Sequence, residues 1–398
     1  MDELTSAGEG TEDEPDGSPG SAPEPRFDTL GFLLPPAGDE LGDSTRAYDR
    51  WFEAKGARRL RRLELWRRRL PEPGDWGTLP KPRLKALLRK GLPAEHRKEV
   101  WWSILGGERR RQQSKTSYAQ YAEAARRRSF DLKANEEIER DLQRTFPNHR
   151  RFRLEAGQSV LRSVLTAFAQ HCPRVQYCQG LNFIAALFLI VMEDAERAFW
   201  SLVCAIETLG VERYYTEGMH LLRADMQAFS ALLEKKCPKV ARVFAATNAD
   251  VTSMCSEWFI TWFAKSMPTP TTLRVWDTLF FEGYKVLFRV AVGILKMVEP
   301  EILKCDCFED IMEQSRDWPR LMVKHNELLK ASFNGVPGLS RRDLLRTRDA
   351  ALCTVEREDE ERRRRRAEVK ERMLRERLTD EVRVATGVAA ATTHIGFA

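Results

Sequence analysis

Two short segments of this 398-residue chain stand out for the polar side chains they carry and their spacing. The first, residues 138–147, reads Ile-Glu-Arg-Asp-Leu-Gln-Arg-Thr-Phe-Pro. Pro147 disfavours helical backbone at Phe146, so Arg144 is expected in the last turn of a helix or just past it. Ile138, Asp141 and Arg144 stand at i, i+3 and i+6, close to one face, which lets Asp141 brace Arg144. A guanidinium is always charged, and a long cation at a helix end can project into a neighbouring cleft. Taken by itself, the spacing also describes an ordinary surface ion pair that the helix dipole favours. The second segment, residues 177–183, reads Tyr-Cys-Gln-Gly-Leu-Asn-Phe. Gly180 permits an unusual backbone conformation or close approach by a partner. It would place Gln179 at the mouth of an apolar helix, where a carboxamide donates and accepts without titrating. Asn182 is expected to cap that helix. Taken alone, this segment is also compatible with a plain capped loop.

Other chemistries find little support. There is no G-x-x-x-x-G-K-[ST], no H-E-x-x-H and no G-x-S-x-G, so neither a nucleotide-cradling loop nor a zincin or hydrolase site is expected. Cys305 and Cys307 are too close and too isolated for a zinc site, which needs four suitably spaced ligands. His171 and Cys172 are neighbours, and neighbours on a helix diverge, so they do not form a nucleophile–base pair.

The elements that must hold these residues are helical. From residue 84 to about 333, apolar residues recur at helical spacing. The expected helices are 117–128, 134–146, 157–171, 181–192, 195–209, 218–236, 238–246, 253–266, 270–281, 285–299, 307–314 and 319–332. Alternating strand patterns are scarce, which points to an all-α domain. Hydrophobic residues make up 42% of the chain, enough for a large core. Residues 1–45 are rich in Gly, Pro, Ser, Asp and Glu and are expected to be disordered. Residues 46–87 form a basic helical lead-in, with a periodic pattern over 45–70, followed by a Pro/Gly-rich linker. Residues 336–398 form a charged, partly helical tail with Glu and Arg at i,i+4 and apolar heptads too sparse for a coiled coil.

Net charge is +6, but residues 1–25 hold eight acids and no Lys or Arg, leaving 65 basic against 51 acidic residues in the remainder. A basic body suits an acidic protein or an anionic membrane surface. Its basic runs lack interleaved aromatics, so no nucleic acid is expected. No apolar run approaches the roughly 18–20 residues of a membrane span, and the acidic N-terminus lacks a secretory pattern. The eight scattered cysteines read as reduced and mostly buried. Together these indicate a cytoplasmic protein, with any membrane contact peripheral.

The two segments together resemble the signatures of the TBC-domain family, whose members activate GTP hydrolysis by Rab-type GTPases. Ile138, Asp141 and Arg144 match I-x-x-D-x-x-R, and Tyr177, Gln179 and Gly180 match Y-x-Q-G. The family's opening pattern is present as Lys90–Gly91–Leu92–Pro93, then Arg97, Val100 and Trp101. A later block runs through Glu257–Trp258–Phe259, Leu273–Arg274–Val275–Trp276–Asp277, Glu282–Gly283 and Phe288–Arg289–Val290. These blocks occur in the family's order and span about residues 88–335, most similar to the family's compact members. The resemblance implies an all-α, multi-helix, two-lobed domain and a Rab-family GTPase in its GTP form as partner. It also implies a role in vesicle traffic. Arg144 would be an arginine finger and Gln179 a glutamine finger, supported by Ile138, Asp141, Tyr177, Gly180 and Asn182. Arg97, Trp101, Trp276 and Asp277 would be scaffold. The chain would need no cofactor of its own, because GTP and Mg²⁺ would come with the partner. A non-catalytic Rab-binding scaffold on the same fold is the alternative.

Overall fold

The computed structural model describes residues 27–34, 56–69, 76, 79–127 and 132–393. Among them are eighteen α-helices and no β-strand. In chain order these are α1 Gly56–Arg69, α2 Lys81–Lys90, α3 Ala94–Leu105, α4 Gly107–Gln113, α5 Tyr118–Arg127, α6 Leu132–Gln143, α7 Glu155–His171, α8 Leu181–Met192 and α9 Ala195–Leu209. Then follow α10 His220–Lys236, α11 Pro238–Ala246, α12 Val251–Ile260, α13 Thr269–Glu282, α14 Lys285–Met297, α15 Glu299–Ile302, α16 Phe308–Ser315, α17 His325–Phe333 and α18 Arg341–Thr393.

The boundaries follow local chemistry. Asp194 and Asp250 accept hydrogen bonds from the first-turn amides of α9 and α12. Pro238 opens α11, where its missing N–H costs nothing. Nine of the twelve expected helices match to within two residues, but 253–266 ends early, at Ile260. There Trp262 and Phe263 take left-handed backbone (φ 48° and 66°), which turns both rings into the core. Likewise 319–332 begins as helix only at His325, after a turn in which Met322 O accepts from Thr271 Oγ1 at 2.7 Å. Of the lead-in, 56–69 is helical, and residues 45–55 lie outside the described residues.

One buried apolar cluster joins residues from Trp66 to Leu344. α8 lies at its centre, with ten of its twelve residues buried, which explains its nearly unbroken apolar sequence. Trp101, Phe188, Trp262, Trp276 and Phe280 pack as mutually tilted or edge-on rings, apart from the stacked pair Phe188–Phe280. A charged knot crosses this core. Asp277 is fully buried, accepts from Arg97 Nε at 2.9 Å and Nη2 at 3.2 Å, and takes the Trp101 indole N–H at 3.1 Å. Breaking a pair of this kind leaves a buried charge and costs about 3–5 kcal/mol. Arg97, Trp101 and Asp277, with Trp276 packed on Trp101, therefore serve α3–α13 packing.

The tail is anchored at its start. Arg348 on α18 grips buried Asp225 on α10 through two bonds of 2.7 Å, and Asp225 also accepts from Tyr214. Arg223 and His220 reach Asp359 on the same helix. Beyond that point every side chain over residues 360–379 is exposed.

Residues 27–34 form a turn within the segment expected to lack order, and the rest of 1–45 lies outside the described residues. Phe27 pairs with Leu33, and Phe32 with His149, as isolated antiparallel bridges.

Candidate functional site

α6 ends at Gln143, so Arg144 is the first residue beyond its last turn, as the proline rule anticipates. Ile138 is fully buried one face along and fixes α6 to the core. Asp141 is 2% exposed. Its Oδ1 accepts from Arg144 Nε at 2.6 Å and pairs with Nη2 on the same edge of the guanidinium. The Arg144 side chain is nonetheless 52% exposed. A buried carboxylate thus holds one edge of a cation whose remainder faces solvent.

The other oxygen of Asp141 connects the two segments. Tyr177 donates its hydroxyl to Asp141 Oδ2 at 2.5 Å. Burial, the bond to Asp141 and the carboxylate's charge all push the Tyr177 phenol far above its ordinary range, so it remains a neutral donor. A second link runs through Thr145, whose hydroxyl donates to Asp141 O at 2.5 Å. Asn182 Nδ2 donates to Thr145 Oγ1 at 2.7 Å, and Asn182 Oδ1 accepts from the Gly180 N–H at 3.0 Å. Asp141, Thr145 and Asn182 are all buried. Each has its polar groups engaged, the condition under which a buried network is rigid.

Asn182 is therefore not the cap of α8. It lies in the first turn of that helix, and Gly180 occupies the cap position without a side-chain bond. The carboxamide turns inward because the Gly180 amide would otherwise be buried without a partner. Gly180 itself has φ +109°, and a Cβ there would lie 3.3 Å from Thr261 Cγ2. Only glycine takes that backbone without strain. Gln179, between Tyr177 and Gly180, is exposed. Its neighbour Cys178 is half-buried, and burial raises its thiol to about 11, so it stays protonated.

The structure thus brings Asp141, Arg144, Tyr177, Gly180 and Asn182 into one hydrogen-bonded unit. It leaves Arg144 and Gln179 as exposed members of the two joined segments. Sequence reasoning missed Thr145 as the linchpin between Asp141 and Asn182. Its position next to Arg144 in the Thr-Phe-Pro run was the signal available. It also missed Phe32 and His149 beside this site, although the apolar cluster of residues 27–34 within a polar segment was a signal for Phe32. Among the described residues no group of three or more His, Cys, Asp or Glu is placed to hold a metal, and no helix is long and apolar enough to cross a membrane.

Comparison with known proteins places the chain among TBC-domain proteins. Residues 94–303 match the Rab-GTPase-TBC domain. The chain is 34% identical over 341 residues to TBC1 domain family member 2A of Rattus norvegicus, covering 84% of this chain and 36% of that protein. It is 33% identical over 313 residues to growth hormone-regulated TBC protein 1 of Homo sapiens, covering 78% of this chain and 86% of that one. The crystal structure of the Chlamydomonas flagellar RabGAP TBC domain has a TM-score of 0.64 at 27% identity, over 77% of this chain and 99% of that one. The chain spans just over a third of the length of the first of these relatives.

Proposed function

Since the chain belongs to the Rab-GTPase-TBC domain family, we propose that it is a GTPase-activating protein for a Rab-type small GTPase in its GTP form. It would supply Arg144 and Gln179 in trans and so terminate Rab signals in vesicle traffic. The observation that supports this most is the Asp141 carboxylate. It holds exposed Arg144 with one oxygen and the Gln179-bearing segment, through Tyr177, with the other.

The chemistry follows from what a small GTPase lacks. Charge develops on the transferring phosphoryl group, and the attacking water is poorly held. The free edge of the Arg144 guanidinium donates to the γ-phosphate oxygens while Asp141 keeps the other edge. Little side-chain freedom is then lost at the moment of reaction. Gln179 orients the water, its carbonyl oxygen accepting a hydrogen bond from it and its amide donating to a phosphate oxygen. GTP and Mg²⁺ arrive with the partner. Catalysis would take place at the protein surface or in its cytoplasm-facing contact with an endomembrane carrying the Rab, and the basic segments would favour such a surface.

The test is GTP hydrolysis by a panel of purified Rab proteins with catalytic amounts of this chain. Wild type should turn over many equivalents of its best Rab. Arg144→Ala and Arg144→Lys should each lose about 10³–10⁵ in stimulated rate, with helical content unchanged, because lysine keeps charge and lacks the fork. Binding without turnover by wild type would instead identify a non-catalytic scaffold. An Arg144→Ala protein as active as wild type would reject the finger assignment.

A further inference from the structure

We infer that residues 27–34 are a clasp that positions the arginine-bearing segment, with Phe32 as the positioning residue. This rests on the catalytic reading of Arg144 given above.

The clasp is built locally. Asp28 Oδ1 accepts from the amides of Leu30 and Phe32 at 2.9 and 2.8 Å, and the Asp28 amide donates to Phe32 O at 2.8 Å. That folds the segment on itself before any contact with the domain. It then docks onto residues 146–150. The Leu33 amide donates to Asn148 O at 2.7 Å, and the Arg150 amide donates to Gly31 O at 2.8 Å. His149 is 3% exposed. Its Nδ1 accepts from the Arg151 amide at 3.1 Å, so the ring is neutral with its proton on Nε2, which donates to Leu30 O at 2.9 Å. Gly31 has φ +91°, and a Cβ there would fall 2.9 Å from His149 Nε2. The fit between turn and domain is close enough to require glycine.

Phe32 then reaches the site itself. Its ring meets Phe146 edge-on at a centroid distance of 5.4 Å, and His149 at 4.8 Å. Phe146 lies two residues beyond Arg144 and has φ +45°, a conformation a bulky residue keeps only when its surroundings impose it. Phe146 also meets Phe183 on α8, edge-on at 5.3 Å, and Phe152 at 6.5 Å. Phe146 is thus held by both the turn and the helix that follows Gln179. Removing the Phe32 ring takes away one of these contacts at the residue that sets the exit of the chain from Arg144.

The experiment uses the full chain and reads two quantities. Hydrogen exchange at the amides of residues 144–151 reads the clasp directly. Single-turnover hydrolysis on the best Rab separates the maximal stimulated rate from the concentration of activator giving half of it. For Phe32→Ala we expect faster exchange at Arg150 and His149. The maximal rate should fall about tenfold, the scale set by one aromatic pair, with the half-maximal concentration within about twofold. Phe32→Tyr, which keeps the ring edge, should restore both. Gly31→Ala, which pushes the turn off His149, should reproduce the alanine phenotype while leaving the Phe32 ring in place. Unchanged exchange in Phe32→Ala overturns the clasp. Faster exchange with an unchanged or raised maximal rate overturns its positioning role. A wild-type chain that stimulates no Rab fails the catalytic reading instead, and exchange alone then decides whether the clasp exists.

Discussion

Tyr177→Phe isolates one atom of the link between the two segments. The hydroxyl is buried and donates at 2.5 Å to Asp141 Oδ2, and Asp141 is only 2% exposed. Water therefore does not replace the missing donor without opening the core. A hydrogen bond to a charged group contributes about 1.5–3 kcal/mol, and the variant should lose that much stability in equilibrium urea unfolding. If all of that energy restrains the two segments relative to each other, the stimulated rate should fall by at most about 10- to 150-fold, at 1.36 kcal/mol per decade. Tyr118→Phe provides the comparison within the same molecule. Its hydroxyl meets Ser163 Oγ at 3.0 Å in a half-buried, neutral pair, for which about 0.5–1.5 kcal/mol is expected, with no change in rate. Both variants are read by far-ultraviolet circular dichroism across a urea series and by the Rab hydrolysis assay. A Tyr177→Phe protein within about 0.5 kcal/mol of wild type, and equally active, would refute the claim that Asp141 joins the two segments through this hydroxyl.

Other substitutions test neighbouring parts of the argument. Asn182→Leu should cost several kcal/mol by thermal unfolding, because Thr145 Oγ1 loses a partner and the Gly180 amide is left buried without an acceptor. Gly180→Ala should cost about 1–3 kcal/mol from left-handed strain alone, and a melting temperature equal to wild type would show the loop free to adjust. Arg348→Ala should cost about 3–5 kcal/mol and release the start of α18 from α10, visible as new protease cleavage near residue 348. Burial holds His149 below its ordinary pKa, with Arg150 and Arg151 acting in the same direction and Leu30 O and Asp28 opposing. The unfolded chain then binds the proton first, so the stability from neutral His149 is intact above about pH 6.5. It is lost as the pH falls through the lower folded value. The melting temperature of wild type should therefore drop more between pH 8 and pH 5.5 than that of His149→Gln, and equal drops would refute the assignment.

Much of this was legible in the sequence because helical periodicity is a local signal. α8 and α9 end where an apolar run meets Glu193–Asp194 and where Gly210 follows Leu209. Pro147 alone placed Arg144 in the last turn of its helix or just past it, and the helix stops one residue before Arg144. What stayed hidden depends on residues far apart in the chain. Asn182 looks like a cap because its type and place suit one, but burial against Thr145, 37 positions away, recruits both ends of its carboxamide. Trp262 and Phe263 fit a helical pattern, and only the tertiary gain from burying two rings explains left-handed backbone at both. The turn at 27–34 holds five large apolar residues of eight, a pattern averaged away in the polar segment around it, and its order comes from Phe146 and His149, more than a hundred residues on.

The terminal helix behaves as a ruler. Arg348, Arg223 and His220 fasten its first third to the globule, and at a rise of 1.5 Å per residue the 34 residues after Asp359 reach about 50 Å. A helix is stiff at that length, and its mixed Glu and Arg side chains keep the shaft solvated. Anything grasped at the far tip is therefore held at a set span and bearing from the globule rather than on a loose string. Trimming whole turns from the shaft would shorten that span by about 5.4 Å each without disturbing the anchored base.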